Sequence, residues 1–170
     1  MSYTYGKYLD RSGGKFVQKE AINTSAGAGD AGKLIKTNSQ GDVDETFLPD
    51  GIGIDSVTVT AAGGLAEGDI VNIYNDEGTI KARKADAGTN KYIAHGYCPE
   101  AILDAAEGTV YLTGSIITTG LTVGNYYLSD TPGSKSTAPP TGTGKIDQVI
   151  GWAVSTTKLR FEPQEEIELA

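Results

Sequence analysis

Short runs of alternating apolar and polar residues fill the chain from position 54 onward and are scarce before it. Ser56-Val57-Thr58-Val59-Thr60 alternates with period two and is rich in β-branched residues, as a strand with one buried face should be. Residues 70–74 and 79–83 flank Asn75-Asp76-Glu77-Gly78. A short loop ending in glycine between two such runs predicts a hairpin. Further strands are predicted over 92–97, over 109–114 with continuation through 115–119, and over 126–129, 146–154 and 159–161. Turn residues recur about every 8–15 positions, which reads as an all-β barrel or sandwich. Only residues 99–106 have a helical reading, with Pro99 at the first helical position and room for one or two turns. Residues 129–144 are breaker-rich and long for a connection, which predicts either a solvated loop or a contact tip.

The first 54 residues follow no such pattern. Tyr3, Tyr5 and Tyr8 are too loosely spaced for a clean strand, and Asp10-Arg11-Ser12-Gly13-Gly14 is turn chemistry. Residues 24–32 carry almost no side chain to bury, so they cannot offset their own ordering entropy. Leu34 and Ile35, then Phe47, Leu48 and Ile52, are the next large apolar groups. The pattern predicts an extended N-terminal arm over 1–54, ordered when it lies on something, and a small β-barrel or sandwich body over 55–170.

Composition narrows the partners. A length of 170 residues suits one domain, with or without an arm, and is enough to bury a core. A net charge of -8 argues against a nucleic-acid partner or an anionic membrane, because phosphate binding needs a local excess of Lys and Arg. Lys81, Arg83 and Lys84 are the densest basic group, and their alternation with Ile80 and Ala82 reads as the solvated face of a strand. No basic-then-apolar leader is apparent, and no apolar run approaches the roughly 18 residues of a spanning helix. A soluble protein made in a cytoplasm is expected.

Candidate chemistry is thin. Gly27-Ala28-Gly29-Asp30-Ala31-Gly32-Lys33 fits both G-x-G-x-x-G and G-x-x-x-x-G-K on paper. Both motifs need a buried strand before them and a helix after them, and Leu34 stands where a phosphate loop needs a hydroxyl. Cys98 is the single cysteine, so no internal disulfide forms, and at a strand end it reads as a small buried hydrophobe. His95 is the single histidine and reads as structural, since base catalysis or zinc would need further groups. Asp42, Asp44, Glu45 and Asp50 do not have the spacing of a twelve-residue calcium loop. Glu162, Glu165, Glu166 and Glu168 read as solvated, and Trp152 and Phe161 as core or subunit interface. No carboxylate pair suggests a glycan hydrolase. No enzyme activity, cofactor or metal is therefore expected.

Three stretches carry a family resemblance. Residues 32–49, with Gly32-Lys33-Leu34, Asn38, Gly41 and Phe47-Leu48-Pro49, resemble a segment of tailed-bacteriophage virion proteins. Gly120-Leu121-Thr122 with Tyr126-Tyr127-Leu128-Ser129 and Pro132-Gly133 is similar to a segment of small β-rich phage proteins, both head-decoration proteins and tail fibres. Gln148-Val149-Ile150-Gly151-Trp152-Ala153 resembles its usual partner. Residues 66–71 with 78–82 also look like the start of head-decoration β domains. The resemblance implies a capsid decoration or cement protein, commonly a homotrimer, that binds the major capsid protein on the outer surface of the phage head. It implies shell or subunit contacts through the arm, with Leu34, Ile35, Phe47 and Leu48 as the contact residues. The alternative is a tail-fibre or receptor-binding subunit.

Overall fold

The computed structural model describes residues 6–39, 41–48, 55–88 and 91–170. Expectations on Tyr3, Tyr5, Pro49, Asp50, Ile52 and Ile54 lie outside these residues. The chain divides into two units, Met1–Gly53 and Ile54–Ala170. The first contains strands β1 (Lys7–Ser12) and β2 (Lys15–Glu20) and two 3-10 turns, Ala28–Asp30 and Glu45–Phe47.

The second unit is all-β. Its strands are β3 (Ser56–Ala61), β4 (Ile70–Asp76), β5 (Thr79–Lys84), β6 (Gly96–Tyr97), β7 (Glu107–Tyr111), β8 (Gly114–Ile117), β9 (Gly124–Leu128), β10 (Lys135–Ser136), β11 (Ile146–Asp147), β12 (Val149–Ser155), β13 (Lys158–Phe161) and β14 (Ile167–Glu168). Strands β3-β5-β4-β6-β7 close into a barrel, in which β3 and β5 run parallel and the other pairs antiparallel. Strands β10-β9-β12-β13-β8 form an open antiparallel sheet, and β11 pairs with β14.

The period-two pattern explains how barrel and sheet share one body. Val71 points into the barrel with Val59, Ala61, Ala82, Cys98 and Val110, while Ile70 beside it points out. A five-stranded barrel has a narrow interior, and small or β-branched residues fill it. On the outside, Ile70, Ala85, Ala94 and Tyr97 meet Ile116, Leu128, Ile150, Leu159 and Phe161 of the sheet. Tyr97 anchors the junction, with its ring edge-on to Tyr111 and Phe161 at centroid distances of 5.6 and 5.2 Å. Strand β12 bulges between Val149 and Gly151, and Gly151 has φ +146°. A Cβ there would lie 2.0 Å from the carbonyl oxygen of Arg160, so β13 can pass only because residue 151 has none.

The predicted hairpin forms as β4 and β5, turning at Glu77-Gly78, with the Gly78 N–H donating to Asn75 Oδ1 at 2.7 Å. Other predicted elements differ. Residues 99–106 are not helical: Leu65 and Ile102 exchange backbone hydrogen bonds of 2.9 Å each way, which drops Ile102 into the barrel core. The 92–97 run is a strand only at Gly96–Tyr97, and Tyr92 forms an isolated bridge with Asp86. The 109–119 run breaks before Gly114, where the chain passes from barrel to sheet. The 146–154 run breaks at Gln148, whose buried amide bonds Ala94 on both sides and Gln164. The 129–144 loop is pinned in part: Gly133 accepts from Ile70 N–H at 2.9 Å and donates to Ala85 at 2.8 Å, and β10 joins the sheet edge.

Candidate functional site

The described part of the first unit is a hydrogen-bonded hairpin followed by a tied segment. Gly13 and Gly14 take φ of +61° and +80°, the left-handed pair of a two-residue hairpin turn. Six residue pairs follow, from Ser12–Lys15 at the turn to Lys7–Glu20 at the open end. Strand alternation places Leu9, Arg11, Phe16 and Gln18 on one face, and Asp10 and Val17 with Tyr8 and Lys19 on the other. Lys19 pairs with Asp10 across the strands, and this contact holds the Asp10 carboxyl below its ordinary range and the lysine above its own.

Beyond the hairpin, Ile22 and Ile35 form a parallel bridge, with Ile22 N–H to Leu34 O at 2.9 Å and Lys36 N–H to Ile22 O at 2.8 Å. Thr46 ties the second 3-10 turn back to this segment, because its Oγ1 accepts from the Ser25 N–H at 2.8 Å. That same hydroxyl donates to Asp44 at 2.6 Å, and this bond, followed by the Thr46 N–H, lowers the Asp44 carboxyl.

The four residues expected to make contacts therefore sit on one tied segment. Leu34 and Ile35 are 54% and 53% exposed, Leu48 is 44% exposed, and Phe47 is half-buried. Sequence reasoning missed Leu9, Phe16 and Val17, which are 55%, 74% and 44% exposed on the hairpin. The Gly13-Gly14 pair between two short apolar runs was the signal that could have found them. Among the described residues, both buried clusters draw on positions from Val59 onward. The first unit thus leaves most of its described large apolar side chains exposed, with Ile22 and Phe47 half-buried, and exposed apolar area is what an interaction surface would cover.

Other candidate chemistry resolves locally. The Gly27–Lys33 segment is filled by its own acid: Asp30 accepts from Ala26 N–H at 2.6 Å and from Lys33 at 2.5 Å. The Ala26 N–H, then Lys33, holds that carboxyl low, and the 3-10 turn after Gly27 is three residues long. Cys98 is fully buried in the barrel, and burial, with Asp69 adding to it, pushes its thiol up to about 12. His95 Nδ1 accepts the Ile73 N–H at 3.0 Å, which ties the ring to the backbone of β4. Among the described residues, no three His, Cys, Asp or Glu side chains converge as metal ligands would.

No family model matches the chain, and no curated protein matches it. Among solved structures it is similar to the base of head fibre gp8.5 of bacteriophage phi29, at 15% identity and a TM-score of 0.46. That similarity covers 65% of this chain and 95% of that one.

Proposed function

We propose that this protein is a structural component of a phage virion: a decoration or cement protein on the outer surface of the head. The first unit is its docking strap. One observation carries this reading. The Lys7–Glu20 hairpin and residues 34–39 and 41–48 are held by backbone hydrogen bonds, yet Leu9, Phe16, Leu34, Ile35 and Leu48 stay between 44% and 74% exposed. A two-stranded ladder without a core is marginal alone. Covering it on an assembled shell would bury apolar area and tie the ordering of the strap to stabilisation of the lattice. The virion-protein motifs over 32–49, 120–133 and 145–159 support the same class. The partner in this reading is the major capsid protein, with association into homotrimers adding avidity. The test is the position and copy number of the chain in intact particles. Hundreds of copies on the head surface support a decoration role. A few to a few dozen, on the tail, would instead make it a fibre or receptor-binding subunit.

A further inference from the structure

Arg83 lies on β5 opposite Asn72 of β4, on the outer side of the barrel. Its guanidinium carbon stacks 3.4 Å from the ring centroid of Tyr92 and 4.2 Å from that of Tyr74. Its Nε donates to Asn72 Oδ1 at 3.1 Å. Asn72 is itself buried and held, donating through Nδ2 to the Ile93 carbonyl at 2.9 Å. Two rings and one fixed amide thus set the plane of the guanidinium before any ligand arrives, which removes much of the ordering cost of binding.

Among the described residues, no ion-pair partner meets the other edge of the group. The neighbouring lysines are matched, Lys81 with Asp76 at 2.5 Å and Lys84 with Asp69 at 2.9 Å. Arg83, between them, has no carboxylate within 4.0 Å among the described residues, and Nε makes its one side-chain hydrogen bond there. Arg83 is only half-buried. In a chain with 22 acidic residues, this held guanidinium has no carboxylate beside it among the described residues.

We propose that Arg83 is a preformed carboxylate receptor, and that the β4–β5 surface around Tyr74, Arg83 and Tyr92 docks a protein partner through one Asp or Glu side chain. The guanidinium fork matches a carboxylate in two parallel N–H···O bonds, and the tyrosine rings offer apolar flanks for the acid's methylene groups. Arg and Tyr are the side chains that anchor protein interfaces. A net charge of -8 disfavours a polyanion at the same place but is compatible with a single carboxylate. This inference rests on the second unit alone and is independent of the docking of the first.

The test is an NMR titration of the full chain with N-acetyl-glutamate N-methylamide at fixed ionic strength. The glutamine analogue, methyl phosphate and chloride serve as comparisons. The expected result is a saturable shift of the Arg83 side-chain N–H and of the Tyr74 and Tyr92 ring signals with the glutamate probe, and none with the glutamine analogue. Arg83→Lys keeps the charge but loses the fork, and should weaken binding about tenfold. Tyr92→Phe keeps the stack and should bind as the parent does. Unchanged ring signals of Tyr97 and Phe161 verify that each variant is folded. Equal shifts from the glutamate and glutamine probes, full binding by Arg83→Lys, or tighter binding of methyl phosphate would each overturn the proposal.

Discussion

Two phenylalanines in this chain should respond very differently to the same truncation. Phe161 is 1% exposed and packs against Tyr97 at the junction of barrel and sheet. Phe161→Ala removes a fully buried ring and should cost about 3–5 kcal/mol. For a chain of this size that lowers the melting temperature by about 10 °C. Phe16 is 74% exposed, so folding has gained only about a quarter of the roughly 2 kcal/mol that burying a Phe side chain yields. Phe16→Ala should therefore cost about 0.5 kcal/mol and leave the melting curve within about 2 °C of the parent. The remaining three quarters, about 1.5 kcal/mol, is free to be gained when a partner covers the face, and its loss weakens binding about tenfold per site. Near-ultraviolet circular dichroism gives the melting temperatures, and co-sedimentation with phage heads lacking the chain gives the affinities. A Phe16→Ala melting temperature as low as that of Phe161→Ala would refute the reasoning, because the hairpin face would then be part of the core. Unchanged sedimentation of Phe16→Ala would refute the docking role of that face.

Gly151→Ala should destabilise the body by at least about 2 kcal/mol, read from urea unfolding, because the new methyl meets the Arg160 carbonyl 2.0 Å away at a φ of +146°. Cys98 should be silent to a thiol reagent at pH 8 in the folded protein and react at once in denaturant, since its side chain is fully buried and its thiol is pushed up to about 12. Asp10, Asp30 and Asp44 all have lowered carboxyl pKa values, so what they add to local order is present above the ordinary value of 3.8 and is lost as pH falls through the lowered ones. Hydrogen exchange at the Ala26 and Thr46 amides should therefore speed up relative to the intrinsic rate on acidification, and Asp30→Asn should remove the effect at Ala26 alone.

The body was legible wherever local pattern and tertiary context agree. Residues 56–60 and the 70–83 hairpin read directly, because alternation and turn chemistry point the same way there. Strand ends were lost where one side chain decides the outcome. Gln148 reads as one more polar residue in a strand, and only its three bonds to Ala94 and Gln164 show why the ladder stops. Ile102 sits in a run with helical composition, and the open end of the barrel recruits it as a plug. The β3–β5 parallel pairing has no sequence signal, since it joins strands across an intervening antiparallel one. Of the candidate site, Leu34, Ile35 and Leu48 were legible as apolar residues in a segment too poor to make a core. Leu9 and Phe16 were hidden by a period-two pattern that covers only one face of a hairpin with six-residue strands. Arg83 reads from sequence as a solvated strand residue, and the folded positions of Tyr74, Tyr92 and Asn72 turn it into a fixed fork.

The central claim is that the first unit is the docking strap. It is tested most directly by measuring the occupancy of phage heads by the full chain and by a chain lacking residues 1–31, at equal concentration and with the melting curve of the body as a control. That deletion removes the Lys7–Glu20 hairpin and the segment that bridges Ile22 to Ile35. The account predicts a body that melts normally and heads that are left bare or nearly so. Full occupancy of the heads by the shortened chain would contradict it.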